Sequence, residues 1–133
     1  MNTKTITQTV TLPARPAAVF AALMDEKKHG AFTGDAAVID NRVGGTFRCY
    51  GDYISGVTVE LVPDKLIVQA WRSHGWPAGL YSLVTFALSP SGSGKTKLRF
   101  TQRGVPARDF KAKSDGWRSH YWKPLKRYLA EGE

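Results

Sequence analysis

The side chains best suited to chemistry in this sequence cluster in Arg72-Ser73-His74-Gly75-Trp76-Pro77, where a cation, an imidazole and an indole share one short loop. An imidazole can donate or accept a proton near neutral pH. A general base also needs an orienting partner, and no carboxylate lies nearby in sequence. His29, His74 and His120 are far apart and none is paired with a second ligand at i, i+4, so the spacing does not argue for a metal site. Cys49 is the only cysteine. It sits mid-strand, where Arg48 points to the opposite face, and reads as a small apolar side chain rather than a nucleophile. Gly92-Ser-Gly-Lys95-Thr96 superficially resembles a phosphate-binding loop, but Ser89 stands where that pattern needs its first glycine, and the segment precedes a strand rather than a helix. No catalytic residue, metal or cofactor is assigned.

A second kind of chemistry is apolar recognition. Trp117, Tyr121, Leu125, Tyr128 and Leu129 fall on one helical stripe. Phe47, Tyr81, Phe86 and Phe100 come from strand-like runs that would face it. With Trp76 they could line a pocket whose mouth carries Arg72 and His74 as polar anchors. The competing reading of each aromatic is plain core packing.

The elements that must position these groups follow from periodicity. Residues 4–12 alternate as a half-buried strand. Pro16 can open a short helix carrying Val19, Phe20 and Leu23, and residues 25–33 read as a second short helix and turn. Strands are expected over 46–50, 54–62, 66–72, 81–88 and 96–103. Residues 89–95 form a hairpin loop, and residues 106–113 a polar loop. Ser114 or Asp115 would cap a C-terminal helix. Pro124 lies inside that helix and removes the amide that would bond to His120, predicting either a kink or two helical segments. The face occupied by Trp71 stays open, because Gln69 shares its side of the strand. The pattern predicts an α+β fold with one domain over residues 1–133.

Net charge is +8, and residues 95–133 hold eleven Lys/Arg against four Asp/Glu. A basic half invites nucleic acid, yet no nucleic-acid motif accompanies it. An acidic protein partner or an anionic ligand suits the charge equally. The polar N-terminus, the lone cysteine and the lack of any long apolar run predict a cytoplasmic chain with no membrane span.

Several segments together resemble a known family. Residues 11–23 (TLPARPAAVFAAL), Phe32-Thr33-Gly34 and Arg42-Val-Gly-Gly-Thr-Phe47 are similar, in order, to motifs of the activators of the heat shock protein 90 ATPase. The hairpin over residues 56–72, the strand at 81–88 and Gly116-Trp117 with Tyr121 continue the series. The family belongs to the START-like (SRPBCC) superfamily. The resemblance implies a helix-grip fold: a curved antiparallel sheet of six to seven strands around a long C-terminal helix, with two short helices after the first strand and a cavity between sheet and helix. It implies a small apolar or aromatic ligand in that cavity as the leading function. A co-chaperone acting on the chaperone ATPase in the stress response is the alternative, and a cyclase- or hydratase-like enzyme is a third. The family's eukaryotic co-chaperones carry a further N-terminal domain, which 133 residues would not accommodate beside this one.

Overall fold

The computed structural model describes residues 2–132. β1 (Thr3–Leu12) leads into α1 (Pro16–Met24), which has a proline in its first turn, and α2 (Glu26–Thr33). The Asp25 carboxylate caps α2 by accepting the Lys27 and Lys28 amides at 2.8 and 3.2 Å. The chain then forms β2 (Ala37–Ile39), β3 (Thr46–Cys49), β4 (Ile54–Val62), β5 (Leu66–Ser73), β6 (Ser82–Pro90) and β7 (Thr96–Pro106). These strands form a single antiparallel sheet in the order β1-β7-β6-β5-β4-β3-β2, so β1 and β2 are its edges. The expected helix-grip fold is the observed one. β2 has no counterpart in the periodicity, because three residues with none fully buried leave no alternation to read.

One face of the sheet is apolar and the other wet, as β7 shows: Leu98 and Phe100 are fully buried while Lys97 and Arg99 are exposed. The helices cover the apolar face. Gly56 on β4 is required by packing, since a Cβ there would collide with the Ala70 carbonyl and the Phe47 ring.

The C-terminal helical run begins earlier than expected. A 3₁₀ turn (Ala107–Asp109) passes into α3 (Phe110–Gly116), then a π-helical turn (Trp117–Trp122), then α4 (Lys123–Ala130). Ser114 and Asp115 are therefore interior residues rather than caps, and the expected loop at 106–113 is largely helical. The polar, lysine-rich composition of that stretch marks a solvated helix face as readily as a loop. Pro124 is absorbed without breaking the run. It sits in the first turn of α4 directly after the π turn, and the Tyr50 hydroxyl donates to the carbonyl of His120, four residues before the proline that has no amide to offer it.

The π turn also explains Trp122. In an α-helix, residues five apart point about 140° away from each other. Here Trp117 and Trp122 both face the sheet, with rings stacked at 5.5 Å and 22°.

Candidate functional site

Two buried glutamines hold the C-terminal helix to the sheet. The Trp117 indole N–H donates to Gln102 Oε1 on β7 at 2.7 Å, and the Trp122 indole N–H donates to Gln8 Oε1 on β1 at 2.7 Å. Gln102 Nε2 donates to Ser82 Oγ, and that hydroxyl donates to the Trp71 carbonyl. Gln8 Nε2 donates to the Ser114 carbonyl at 2.9 Å. These bonds set the register of the helix, because a buried indole N–H without an acceptor is costly.

Between the middle of the sheet and the helix the expected cavity is filled. Phe100 packs 4.3 Å from Trp117 and 5.5 Å from Phe86, measured between ring centroids. The void that remains, bounded in part by Phe47, Trp71, Phe86 and Tyr121, is about 10 Å³, roughly enough for one water and no ligand. His29 closes its helical side. Only a donor can meet a carbonyl, so Nδ1–H donates to the Leu23 carbonyl at 3.1 Å, and Nε2 accepts from the Tyr121 hydroxyl at 3.3 Å. Burial drives the His29 pKa down to about 4. The same burial pushes the Cys49 thiol up to about 12 and the Tyr121 phenol well above its ordinary value.

Open space lies outside this plug, in two places. The first is an aromatic cleft of about 560 Å³ at one end of the sheet–helix seam, between the C-terminal helix, the β3–β4 loop, Ile54 at the start of β4 and Trp71 near the end of β5. Tyr50, Tyr53, Trp71, Trp117 and Tyr121 form its walls, and Lys113, Ser119 and His120 are among its polar groups. Tyr50 holds a left-handed backbone at φ 54°. Lys113 pairs with Asp109 at 2.9 Å and donates to the Tyr53 hydroxyl at 3.2 Å. Hydrogen bonds from Ser73 and Lys113 keep the Tyr53 phenol below its usual pKa.

The second is a groove of about 710 Å³ between edge strand β1 and the helix, where Arg118, Lys123, Lys126 and Arg127 face residues 7–10 of β1. Only Arg118 of these cations reaches a carboxylate among the described residues, Asp115 at 3.6 Å.

The structure distributes the sequence-predicted residues unevenly. Trp117 and Tyr121 line the aromatic cleft. Phe47, Phe86 and Phe100 are core. Trp76 is buried, donating its indole N–H to Asp109 at 2.8 Å and meeting Trp71 edge-on at 5.6 Å. Arg72 braces the β5–β6 loop by donating to the carbonyls of Trp76 and Pro77 at 2.9 Å, and it stacks over exposed Tyr81 at 5.8 Å. His74 is exposed beside that loop. Trp71 faces inward along with Gln69. Sequence reasoning missed Tyr50 and Tyr53, which lie in an irregular loop, and Trp122, which is off the α-helical stripe. Among the described residues there is no cluster of three or more His, Cys, Asp or Glu able to hold a metal ion. No helix among them is long and apolar enough to cross a membrane.

A seven-stranded antiparallel sheet closed over a C-terminal helix, with two short helices after the first strand, defines a helix-grip domain of the START-like class. Within that class, the model of the family described as "Activator of Hsp90 ATPase homolog 1-like protein" matches residues 13–130, and the chain belongs to that family. The chain is 32% identical over 117 residues to the activator of 90 kDa heat shock protein ATPase homolog of Dictyostelium discoideum, covering 88% of this chain and 30% of the relative. It is 29% identical over 127 residues to homolog 1 of Homo sapiens, covering 96% of this chain and 37% of the relative. The chain thus spans about a third of the length of these curated relatives. Its fold is similar to the crystal structure of an HSP90 activator from Plasmodium falciparum, with TM-score 0.90, 24% identity and coverage of 95% of this chain and 96% of that one.

Proposed function

We propose that this domain is a chaperone-directed module that stimulates the ATPase of a 90 kDa heat shock protein in the cytoplasm, using the basic face of its C-terminal helix. Membership in the activator family supplies the partner class. The observation that carries the reading is the row of exposed cations along that helix, of which Lys123, Lys126 and Arg127 meet no carboxylate among the described residues. Unpaired charge on a rigid element attracts an acidic surface and speeds encounter at low ionic strength. The filled interior fits a partner that docks outside the fold. In the test, chaperone ATPase turnover is measured with and without the purified domain at 50 and 300 mM salt. Stimulation that weakens with salt supports the reading, and no stimulation at either salt rejects it.

A second reading is favoured by the aromatic cleft: a small apolar or aromatic ligand held by Trp117, Tyr121, Tyr50 and Tyr53. This moves the expected ligand from the interior to the seam beside the π turn. Arg72, His74 and Tyr81 would lie apart from it, on the β5–β6 loop. Native mass spectrometry of the protein as purified checks it, and a Tyr53→Ala variant should lose any molecule that co-purifies. Enzymatic use of this cleft would need an activity that tracks its polar groups.

A further inference from the structure

The groove beside β1 has a feature that charge alone does not explain: one of its walls is an unpartnered strand. β1 pairs along its length with β7, and its other edge meets no strand among the described residues, since it ends the sheet. An exposed edge of ten residues offers open backbone donors and acceptors, and proteins ordinarily protect such edges with covers, bulges or charges. The irregularity in the pairing of β1 lies between Lys4 and Ile6, which leaves residues 6–12 in regular register. The outward side chains there are the exposed threonines Thr7, Thr9 and Thr11, small β-branched residues that suit a strand neighbour.

The cations nearest this edge are arranged for one kind of neighbour. On the helix side, Arg118, Lys123, Lys126 and Arg127 overlook residues 7–10. On the outer face of the sheet, Lys97 lies opposite Thr11 and Arg99 opposite Thr9 on β7, both exposed. A strand added to β1 would therefore run along the row of helix cations, with Lys97 and Arg99 one strand further in on the outer face and none of the groove-lining residues acidic. A lysine- or glutamate-bearing strand would be sorted by sign at this edge.

We infer that the β1 edge takes an extended, acidic segment of a partner protein as an added eighth strand, its carboxylates meeting the cations of the C-terminal helix. Backbone pairing supplies affinity and the flanking cations supply selectivity. The inference rests on the chaperone reading for the partner's identity, while the strand pairing itself does not depend on it.

The test uses the full chain and a fluorescein-labelled ten-residue peptide of alternating glutamate and valine, followed by anisotropy at 50 and 300 mM salt. Binding is expected at low salt and should weaken about tenfold at high salt, where the screening length shortens. The double variant Lys126→Glu, Arg127→Glu changes only exposed side chains and should lose about tenfold or more in affinity with an unchanged circular dichroism spectrum. The same peptide N-methylated at every residue keeps its charge but has no amide to donate from either edge, so it cannot complete a ladder, and it should lose at least as much. Backbone amide shifts on binding should concentrate at residues 7–10.

Undiminished binding of the N-methylated peptide overturns the strand and leaves only charge. Absence of binding by the parent peptide overturns the docking site. Stronger binding of a ten-nucleotide single strand than of the peptide would make the face a nucleic-acid surface and overturn the assignment. Peptide binding without chaperone stimulation removes the chaperone reading alone, and stimulation without peptide binding removes the added strand alone.

Discussion

Replacing Gln102 by Leu tests whether the helix is held in register by its polar clamp or simply by apolar packing. The two side chains are similar in volume, so the cavity contribution is small. What changes is polar. Gln102 is fully buried, and its Oε1 is the acceptor for the Trp117 indole N–H at 2.7 Å. Without it the N–H is stranded in the core, which costs about 1–3 kcal/mol. Ser82 Oγ loses a donor but keeps its own bond to the Trp71 carbonyl, adding at most about 1 kcal/mol. The sum is about 1–4 kcal/mol, which for a chain of this length lowers Tm by roughly 3–16 °C. Urea unfolding followed by circular dichroism and tryptophan fluorescence would measure it. The decisive arm is a double-mutant cycle with Trp117→Phe, which removes the N–H as well. Gln102→Leu should cost about 1 kcal/mol or more less in the Trp117→Phe background than in the wild type. A Gln102→Leu cost under about 0.5 kcal/mol, with additive behaviour in the cycle, would refute the clamp.

His29 should make stability depend on pH. Its folded pKa is about 4, below the unfolded value near 6.5, so as pH falls from 6.5 toward 4 the unfolded chain binds the proton first and stability drops, by up to roughly 3 kcal/mol. Urea midpoints between pH 4.5 and 8 should show this decline in the wild type and a flatter profile in His29→Gln, and equal slopes would count against it. Tyr50→Phe should cost about 1 kcal/mol in the wild type and clearly less in a Pro124→Ala background, where the new amide can serve the His120 carbonyl. Equal costs in both backgrounds would mean that the Tyr50 hydroxyl is not substituting for the missing donor. Cys49, buried with its thiol pushed up to about 12, should resist alkylation in the native state and react in urea; rapid native labelling would contradict its burial.

Strand alternation made most of the sheet legible, because each of β4 to β7 buries every second residue over much of its length and hydropathy reports that directly. What failed was tied to conformations that a period does not encode. β2 is three residues long. Tyr50 and Tyr53 belong to a loop whose path depends on a left-handed residue and a glycine at φ 66°, so nothing local marked them as cleft walls. The cavity was inferred from the type of fold, and its closure depends on ring packing among Trp117, Trp122, Phe86 and Phe100 that no linear pattern specifies. The loop cluster at 72–77 read as chemistry because it gathers polar and aromatic types. In the fold Arg72 spends its donors on loop carbonyls and Trp76 on Asp109, so the same residues serve as a brace.

The π turn links these outcomes. Trp117, Tyr121, Leu125 and Leu129 are buried at strict intervals of four, and in a straight α-helix each such step advances about 40°, so the stripe would drift about 120° over its length. A strict four-residue repeat is thus a sequence signal for a widened turn. The widening at Trp117–Trp122 lets Tyr121 and Trp122 both reach the core, where Trp122 finds Gln8 and helps close the interior. Without that widened turn, every later residue would be rotated by up to about 100°. Leu125 and Leu129 would then swing off the sheet, and Lys126 and Arg127 would swing away from the β1 edge. The turn that fills the interior is therefore also the one that aims the helix's cations at the open strand, so packing of the interior and placement of the surface charge depend on the same local geometry.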